Sequence, residues 1–322
     1  MMSTQYLFDF DSQDTLPQHR DYFELPQFDF YTLFSEKRAL IEVHNDNSMV
    51  INGDCLDILQ SMKSKTINLI FADAPYNIGK DFGNNTDQWD SVASYIQWCK
   101  KWIDECLRVL TDDGTMYIMT ATQHMPYLDV YISEHYNVLC RIVWAYDSSG
   151  VQSKKIYGSL YEPILMINKS PKAPYVFNYQ DILVEAKTGA QRKLIDYRKD
   201  PPQPYNSEKV PGNVWDFSRV RFRMDEYENH PTQKPEALLE RIIRASSNPG
   251  DIVLDPFAGS FTTSTVAVKL GRVGLGIELN SDFFEIGIRR TGIANEYCGK
   301  TLEKQKVKKT NAKSKYNRGA EL

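Results

Sequence analysis

The sequence predicts an α/β protein built around a mainly parallel sheet. The first observation is a set of short apolar runs at residues 49–51, 67–72 and 115–119, which are typical of buried parallel strands. The second is that amphipathic segments of helical period lie between and after these runs. The third is that this alternation fades after Trp144 and resumes near Pro235 without a second complete core. Together they predict one Rossmann-like domain with an inserted region.

The individual elements follow from periodicity and from residues that end helices. The clearest helix is predicted over residues 92–110, where Tyr95, Cys99, Trp102 and Cys106 recur at helical spacing, and Asp112-Asp113-Gly114 is expected to end it. Its aromatic residues are interpreted as core. After the insertion, the pattern predicts a helix over 235–247, a strand over 251–255, a helix over 262–270 and a strand over 273–277.

Composition divides the chain into three parts: an acidic and aromatic extension over 1–46, the main domain over 47–298, and a basic tail over 299–322 that is predicted to be disordered. The extension contains nine acidic and three basic residues. It is either a mostly disordered leader or a segment that docks on the domain or on a second subunit. Between Lys300 and Arg318 the tail carries seven lysines and one arginine against the single acid Glu303, which suits contact with phosphates.

Overall composition excludes several classes of protein. Hydrophobic residues make up 42% and charged residues 25%, which excludes global disorder and collagen-like repetition. No apolar run of about 18 residues and no secretion signal is visible, so we expect no membrane span and no export. Five cysteines without a C-x-x-C pair favour a reducing cytoplasm and argue against disulfides or a zinc site, so no metal ligands are predicted.

The inserted region, predicted over residues 145–229, is rich in loops and in basic residues. Thirteen lysines and arginines are interleaved with tyrosines. Cations and aromatic rings suit phosphate contact and the reading of bases, although an ordinary solvated surface has the same composition. The net charge of −4 therefore does not argue against a nucleic-acid ligand, because the charge is unevenly distributed.

A cofactor site is predicted where the strand ending at Asp255 enters a loop of small residues. In doubly wound sheets, ligands bind outside the carboxyl ends of the strands, and Gly259 permits close approach of the backbone. Glu278 ends the next strand and can accept hydrogen bonds from both ribose hydroxyls. The G-x-G-x-x-G pattern is absent because Phe261 and Thr262 follow Gly259, so a nucleoside cofactor without a pyrophosphate is favoured over a nicotinamide dinucleotide. The structural alternative is Asp255 as a helix cap and Phe257 as core.

A second polar site is predicted at the end of the strand over residues 68–72. The strand leads directly into Asp73-Ala74-Pro75-Tyr76, which combines a carboxylate, a turn restricted by proline and an aromatic ring. The alternative is an incidental turn.

These segments resemble the motifs of a known family. Asp73-Ala74-Pro75-Tyr76 resembles the D-P-P-Y motif of amino-directed DNA methyltransferases, and residues 255–259 resemble their D-P-F-x-G cofactor motif. The catalytic motif precedes the cofactor motif, as in the β group of N6-adenine DNA methyltransferases, and residues 230–235 also match. Residues 146–152 and 185–189 are similar to orphan adenine methyltransferases of enteric bacteria.

The resemblance implies a circularly permuted S-adenosylmethionine-dependent methyltransferase fold with an inserted target-recognition region. It implies double-stranded DNA as the substrate, a palindrome of the ATGCAT type as the target, a homodimer, and a cytoplasmic, nucleoid-associated protein in a bacterium. The implied catalytic residues are Asp73, Ala74, Pro75 and Tyr76. The implied S-adenosylmethionine-binding residues are Asp54, Asp73, Gln233, Lys234, Asp255, Phe257, Gly259, Thr262, Thr263 and Glu278.

The chemistry explains why a carboxylate suits this reaction. The exocyclic amine of adenine is a poor nucleophile because its lone pair is delocalised into the ring. Acceptance of its hydrogens by the Asp73 carboxylate and the Ala74 carbonyl opposes that delocalisation and stabilises the charge that develops on nitrogen. The target base must leave the duplex to reach such a site, and Tyr76 is expected to stack on it.

Two positions depart from the family pattern, and two alternative functions stay open. Ala74 replaces the first proline of D-P-P-Y, which is expected to loosen the turn, and Phe261 replaces the second glycine of the cofactor motif. N4-cytosine methylation uses the same amine chemistry, although serine commonly replaces Asp73 in that group. The alternative from another class is a DNA- or nucleotide-binding regulator with weak catalysis.

Overall fold

The computed structural model describes residues 27–35, 41–80, 82, 87–147, 154–187 and 193–293. Within these residues, nine strands form one large sheet: β1 (Ile41–His44), β2 (Ser48–Asn52), β3 (Ile67–Asp73), β4 (Leu110–Met119), β5 (Asn137–Ala145), β6 (Tyr161–Asn168), β11 (Val214–Asp216), β12 (Ile252–Asp255) and β13 (Val273–Glu278). Two small sheets pair β7 (Val184–Glu185) with β10 (Glu208–Lys209) and β8 (Ile195–Asp196) with β9 (Gln203–Pro204).

Helices cover both faces of the large sheet. In chain order they are α1 (Cys55–Ser61), α2 (Val92–Val109), α3 (Met125–His135), α4 (Glu236–Ser246), α5 (Thr262–Lys269) and α6 (Ser281–Arg290). One face of the sheet packs against α1, α2 and α3, and the other packs against α4 and α5. Successive residues of β3 face opposite cores, since Ile70 packs in the first and Phe71 in the second. This three-layer arrangement confirms the predicted Rossmann-like fold.

The order of strands explains where a ligand binds. Across the large sheet the order is β1, β2, β13, β12, β3, β4, β6, β5 and β11. The run from β2 to β4 is parallel, whereas β6 is antiparallel to both of its neighbours. From β12 the chain crosses to β13 on one side, and from β3 it crosses to β4 on the other. The carboxyl ends of β12 and β3 therefore form a topological switch point, the usual position of a ligand in such sheets.

The predicted helix over 92–110 is confirmed, but its predicted end needs a correction. Ser91 and Ser94 form a reciprocal cap at the start of α2, and its buried stripe contains the predicted core residues. The helix ends at Val109 and β4 starts at Leu110, so Asp112-Asp113-Gly114 lies inside the strand. The polar triplet is at the exposed start of a long strand whose second half is buried.

The described part of the predicted extension packs on the domain. Phe30, Leu33 and Phe34 are buried in the core beside α1 and α2, and Asp29 caps a short 3₁₀ helix at Phe30–Leu33. Residues 41–44 form β1, an edge strand that the sequence did not predict. Residues 1–26 and 36–40 lie outside the described residues, and the boundary after residue 46 stays a prediction.

The predicted insertion over 145–229 needs a correction. β6 lies between β4 and β5 in the large sheet, and β11 forms its far edge, so both belong to the main domain. Irregular chain with the two small sheets lies between these strands. The basic tail over 299–322 and parts of the motifs at 146–152 and 185–189 fall outside the described residues. Among the helices that are described, none has the length and apolarity needed to cross a membrane.

Candidate active site

A cavity of about 320 Å³ opens at the switch point between β3 and β12. The turn after β3 forms one wall, and the loop after β12 forms the opposite wall. All the residues proposed from the sequence line this cavity: Asp54, Asp73, Ala74, Pro75, Tyr76, Gln233, Lys234, Asp255, Phe257, Gly259, Thr262, Thr263 and Glu278. The fold thus brings together segments that are up to about 200 residues apart in the chain.

The turn after Asp73 is held by side chains that the sequence analysis did not select. Asp87 is buried, and its carboxylate accepts hydrogen bonds from the backbone N–H groups of Asn77 at 2.6 Å and Ile78 at 3.2 Å. The Tyr95 hydroxyl donates to the Pro75 carbonyl at 2.7 Å. Ala74 is buried within this turn. The loosening expected from alanine in place of proline is therefore offset by these hydrogen bonds.

Asp73 is paired with a buried lysine. The Lys234 ammonium lies 2.6 Å from Asp73 Oδ2, and the Tyr76 hydroxyl lies 2.9 Å from Asp73 Oδ1. Burial raises the pKa of Asp73, while the attraction of Lys234 opposes that rise. For Lys234, burial lowers the pKa, but the carboxylates around it more than compensate and raise it. The sequence placed Lys234 among the cofactor residues, and the structure additionally pairs it with the Asp73 carboxylate.

A second carboxylate, Glu162 of β6, completes this network. Glu162 Oε2 lies 2.6 Å from the Tyr76 hydroxyl and 3.6 Å from the Lys234 ammonium. Its Oε1 lies 3.4 Å from the Tyr146 hydroxyl, and the Arg219 guanidinium lies over the Tyr146 ring at 5.1 Å. Sequence reasoning missed Glu162. The available signal was a carboxylate next to the apolar run of β6, at residues 164–167.

Asp255 ends β12 and orients the loop that follows. This loop forms the wall of the cavity that is predicted to hold the cofactor, called the cofactor wall below. The Asp255 carboxylate accepts hydrogen bonds from the Phe257 N–H at 3.0 Å and from the Thr263 hydroxyl at 2.6 Å. Burial raises the pKa of Asp255 to about 7. The alternative of Asp255 as a helix cap is wrong, because Phe261 is the N-cap residue of α5 and Asp255 accepts from the Thr263 side chain. Asp255 lines the cavity, and its role towards the cofactor stays a prediction.

Glu278, at the end of β13, connects the loop after β12 with the N-cap residue of α6. Its carboxylate accepts hydrogen bonds from the Gly259 N–H and the Asn280 N–H, each at 2.8 Å. Burial raises the pKa of Glu278 to about 7. Gly259 has a φ of +51°, and a Cβ there would lie 2.9 Å from Nε2 of His230. Glycine is therefore required both by its backbone conformation and by the close approach of this ring.

His230 was part of a matching motif but was not proposed as a site residue. Its ring lies 4.4 Å from the Phe283 ring in an edge contact, and both line the cavity. Burial lowers the pKa of His230 to about 3, and the nearby Lys234 and Lys80 add to this effect. The imidazole is consequently neutral at physiological pH.

Several of the proposed cofactor residues already have partners within the protein. Asp54 caps α1 by accepting from the Leu56 N–H at 2.8 Å, and the Gln233 side chain accepts from the Glu228 N–H at 2.7 Å. Arg290 donates to the Thr262 hydroxyl at 2.8 Å. Phe257 makes an edge contact with Trp102, with ring centroids 5.1 Å apart. These contacts fix the orientation of the cavity wall.

Phe261, the other departure from the family pattern, points away from the cavity. It has a φ of +58°, the left-handed conformation that glycine would adopt easily. Its ring is fully buried against Val50 and Ile288. An added Cβ at Gly276 or at Gly287 would lie 2.6 Å from this ring. Two glycines therefore make room for Phe261, and the substitution does not narrow the site.

The cavity suits a cationic nucleoside such as S-adenosylmethionine. Five acidic residues line it, and three of them, Asp73, Asp255 and Glu278, are placed to complement positive charge on a sulfonium and an ammonium group. Phe257 offers an apolar ring. A doubly wound sheet with such a cofactor wall opposite a D-P-P-Y-like turn defines an S-adenosylmethionine-dependent methyltransferase.

Comparison with known proteins gives the family. The chain belongs to the N6/N4 DNA methylase family, whose model matches residues 67–289. It is 57% identical over 278 residues to the DNA adenine methyltransferase YhdJ of Escherichia coli K12, covering 86% of this chain and 94% of that protein. It is 36% identical over 243 residues to the type II methyltransferase M.HpaI of Haemophilus parainfluenzae, covering 75% and 73% of the two chains.

Solved structures agree. The M1.HpyAVI complex with S-adenosylmethionine has a TM-score of 0.51 and 25% identity, covering 76% of this chain and 99% of that one. The cytosine-N4-specific PvuII DNA methyltransferase has a TM-score of 0.60 at 18% identity, covering 80% and 89%, and this similarity shows the fold alone. The chain is therefore an S-adenosylmethionine-dependent enzyme whose substrate is DNA.

Proposed function

We propose that this enzyme transfers the methyl group of S-adenosylmethionine to the N6 amine of adenine in double-stranded DNA. The observation that carries the proposal is the position of Asp73, at the end of β3, on the same cavity as the loop and the acid of the cofactor wall. The 57% identity to a protein named DNA adenine methyltransferase supports adenine as the base.

The proposed roles of the catalytic residues rest on the family resemblance and are supported by their position on one cavity. The Asp73 carboxylate and the Ala74 carbonyl accept the amine hydrogens, which makes the nitrogen lone pair available for in-line attack. Tyr76 stacks on the flipped base, an interaction that contributes about 1–3 kcal/mol. Base flipping costs a few kcal/mol, so stacking by Tyr76 offsets much of this cost.

Different residues are proposed to bind the ribose, the adenine and the methionine part of the cofactor. Glu278 accepts hydrogen bonds from the ribose hydroxyls, while Asp54 and Phe257 contact the adenine of the cofactor. Bound S-adenosylmethionine supplies an electrophilic methyl group on sulfur. The residues proposed to surround its methionine part are Gln233, Lys234, Asp255, Gly259, Thr262 and Thr263.

The finer features of the substrate are part of the same proposal. The target is a palindrome of the ATGCAT type, and a homodimer would read its two halves symmetrically. The basic irregular chain between β6 and β11 and the basic tail would contact DNA, and the enzyme would act in the cytoplasm on the nucleoid. Transfer to a duplex containing ATGCAT but not to a shuffled duplex, with the mass of the enzyme measured in solution, tests both points.

The decisive experiment identifies the product base. Genomic DNA without modification is incubated with labelled S-adenosylmethionine and the enzyme, and the nucleosides are separated by mass spectrometry. N6-methyladenine that disappears with Asp73→Ala is expected. N4-methylcytosine would contradict the choice of base, and cofactor binding without any product would favour a DNA-binding regulator.

A further inference from the structure

Glu162 and Asp73 lie at the two ends of a chain of hydrogen bonds through the Tyr76 hydroxyl. The distances are 2.6 Å from the hydroxyl oxygen to Glu162 Oε2 and 2.9 Å to Asp73 Oδ1. A phenol has one proton and can donate to one carboxylate at a time. The contact with the second carboxylate is favourable only when that carboxyl group carries a proton and donates it to the phenol oxygen.

The charges of the network support a shared proton. Two ionised carboxylates and the Lys234 ammonium, which lies 2.6 Å from Asp73 and 3.6 Å from Glu162, carry one net negative charge within the hydrogen-bonded network. Lys80 and Arg219 lie outside this network and act on it at longer range. The side chains of Asp73, Glu162 and Lys234 are only 17%, 15% and 8% exposed. A net charge on such a buried network is costly, and one shared proton makes the network neutral.

We propose that Asp73, Tyr76 and Glu162 form a proton-sharing chain, in which Glu162 is a positioning residue that acts through the Tyr76 hydroxyl. Without cofactor the chain holds one proton. The sulfonium of S-adenosylmethionine brings its own positive charge into the cavity. This charge takes the place of the positive charge of the proton, so the proton leaves when the cofactor binds. This inference rests on the proposed function only in that the methyl acceptor is an exocyclic amine.

The chain then takes up the proton that the reaction releases. The lone pair of the amine nitrogen forms the bond to the methyl carbon, and the carbon–sulfur bond breaks with its electron pair left on sulfur. The nitrogen loses a proton to Asp73 Oδ1. As Asp73 passes a proton to the phenol oxygen, the hydroxyl proton moves to Glu162 Oε2. Asp73, Glu162, Lys234 and the sulfur of the cofactor together carry no net charge before or after the transfer, so the reaction does not create a net buried charge on these groups.

Several titratable or charged groups face the Glu162 side chain. They are Asp73, Tyr76, Lys234, Tyr146, Lys80 and, through its contact with the Tyr146 ring, Arg219. Because these groups stay in place in Glu162→Gln, that variant isolates the carboxyl proton. Glutamine keeps the size of the side chain and an oxygen that can accept from Tyr76.

The test compares proton release on binding S-adenosylmethionine and S-adenosylhomocysteine, which lacks the positive charge on sulfur. Titration calorimetry of the full chain in two buffers of different ionisation enthalpy measures it without DNA, so a wrong choice of target base would not affect the result. The wild type is expected to release more protons on binding S-adenosylmethionine than on binding S-adenosylhomocysteine. Asp104→Asn is the matched control, since Asp104 accepts from the hydroxyls of Tyr131 and Tyr136 at 2.7 and 2.9 Å away from the cavity.

In Glu162→Gln the difference between the two ligands is expected to vanish. Tyr76→Phe keeps the ring and both carboxylates but removes the hydroxyl between them. It is expected to keep the difference in proton release, because the charges are unchanged, and to transfer the methyl group more slowly, because the relay is cut. In single turnovers with DNA, Glu162→Gln should lower the rate about 100-fold, and the double variant should be no slower than the slower single one. Binding of S-adenosylhomocysteine in the same titrations shows that each variant is folded. An unchanged difference in proton release in Glu162→Gln would overturn the proposal, as would additive losses of rate in the double variant.

Discussion

At the residue scale, burial raises the pKa of carboxyl groups that line this cavity. Burial raises the pKa of Glu278 to about 7, although two backbone N–H groups stabilise its ionised form. The folded protein therefore binds a proton that the unfolded chain has already released between pH 4.5 and about 7. The free energy of unfolding should accordingly fall as the pH rises through this window and level off above it.

The same titration should control cofactor binding. In the proposed role, only the ionised Glu278 can accept hydrogen bonds from both ribose hydroxyls in addition to those from Gly259 and Asn280. The affinity for S-adenosylmethionine should therefore rise between pH 6 and 8. Glu278→Gln should weaken binding about 10- to 100-fold, because charge-assisted hydrogen bonds are lost, and should reduce this pH dependence. Calorimetry at several pH values measures both effects. Equal affinity at all pH values in the wild type would contradict the assigned role.

Lys234 offers a second prediction at this scale. Lys234→Met leaves Asp73 and Glu162 buried without their ammonium partner, and removing one member of a buried ion pair typically costs about 3–5 kcal/mol. We expect a lower free energy of unfolding in denaturant titrations at pH 8 and a smaller loss at pH 5, because burial raises the pKa of Asp73 and its protonation relieves the repulsion. Lys269→Met, which removes a more exposed pair with Glu236, is the control, and an equal loss at both pH values in Lys234→Met would refute this reasoning.

At the element scale, the loop after β12 tolerates Phe261 because of two glycines in other elements. Gly276 lies in β13 and Gly287 in α6, and both face the buried ring. The side chain thus locks the start of α5 against the sheet while the cavity stays open. The motif reading identified the departure at Phe261 but could not show which way the ring points.

Adding a methyl group at this contact should be destabilising. Gly276→Ala is expected to lower the free energy of unfolding by about 1–3 kcal/mol through overpacking. Gly212→Ala is a matched control, because a Cβ at Gly212 meets open space, and its effect should stay within about 0.5 kcal/mol. Urea denaturation compares the two. Equal stability of Gly276→Ala and the wild type would show that the ring moves without cost.

The turn after β3 is the other element on which the account depends. Asp87→Ala removes the acceptor for two backbone N–H groups of the turn. We expect the single-turnover rate of methyl transfer to fall at least about 10-fold, since a buried donor left unsatisfied costs about 1–3 kcal/mol, while cofactor affinity changes little. A loss of cofactor affinity with an unchanged rate would show that Asp87 supports cofactor binding and not the catalytic turn after β3.

At the scale of the whole molecule, sequence and structure agree where local patterns decide the outcome. The alternation of strands and helices on both sides of the insertion and the α2 stripe were predictable from periodicity and residue type, and both motif loops from their resemblance to a known family. The antiparallel β6 was not, because its central place depends on pairing with β4 and β5, which are distant in the chain. Glu162 was missed for the same reason, since it becomes a site residue only through that pairing.

The described N-terminal segment is expected to contribute to the stability of the whole domain. Phe30 is 1% exposed and packs in the main core, so Phe30→Ala should cost about 3–5 kcal/mol. Tyr31→Phe, which removes one exposed hydrogen bond to Glu42, should change stability by less than about 1 kcal/mol. Denaturant titration measures both variants, and a neutral Phe30→Ala would indicate that the segment is dispensable.

The basic tail should contribute affinity and not sequence preference. Deleting the residues after Lys300 removes a sequence-independent attraction to phosphates, so DNA binding should weaken at low salt and the dependence of affinity on salt should become shallower. Binding measured at several salt concentrations, with target and shuffled duplexes, tests this expectation. Unchanged affinity together with an altered target would contradict it.

The central claim is that Asp73 acts on the target amine in the cavity that holds the cofactor. The most direct measurement follows the wild type and Asp73→Asn in parallel, with cofactor affinity from calorimetry and single-turnover formation of N6-methyladenine from mass spectrometry. We expect the affinity for S-adenosylmethionine to fall by less than about 10-fold, because Asp73 is one of several carboxylates on the cavity. The rate of transfer should fall by about 100-fold or more, as expected when a group that stabilises the transition state is removed. Substantial formation of N6-methyladenine by Asp73→Asn would contradict it.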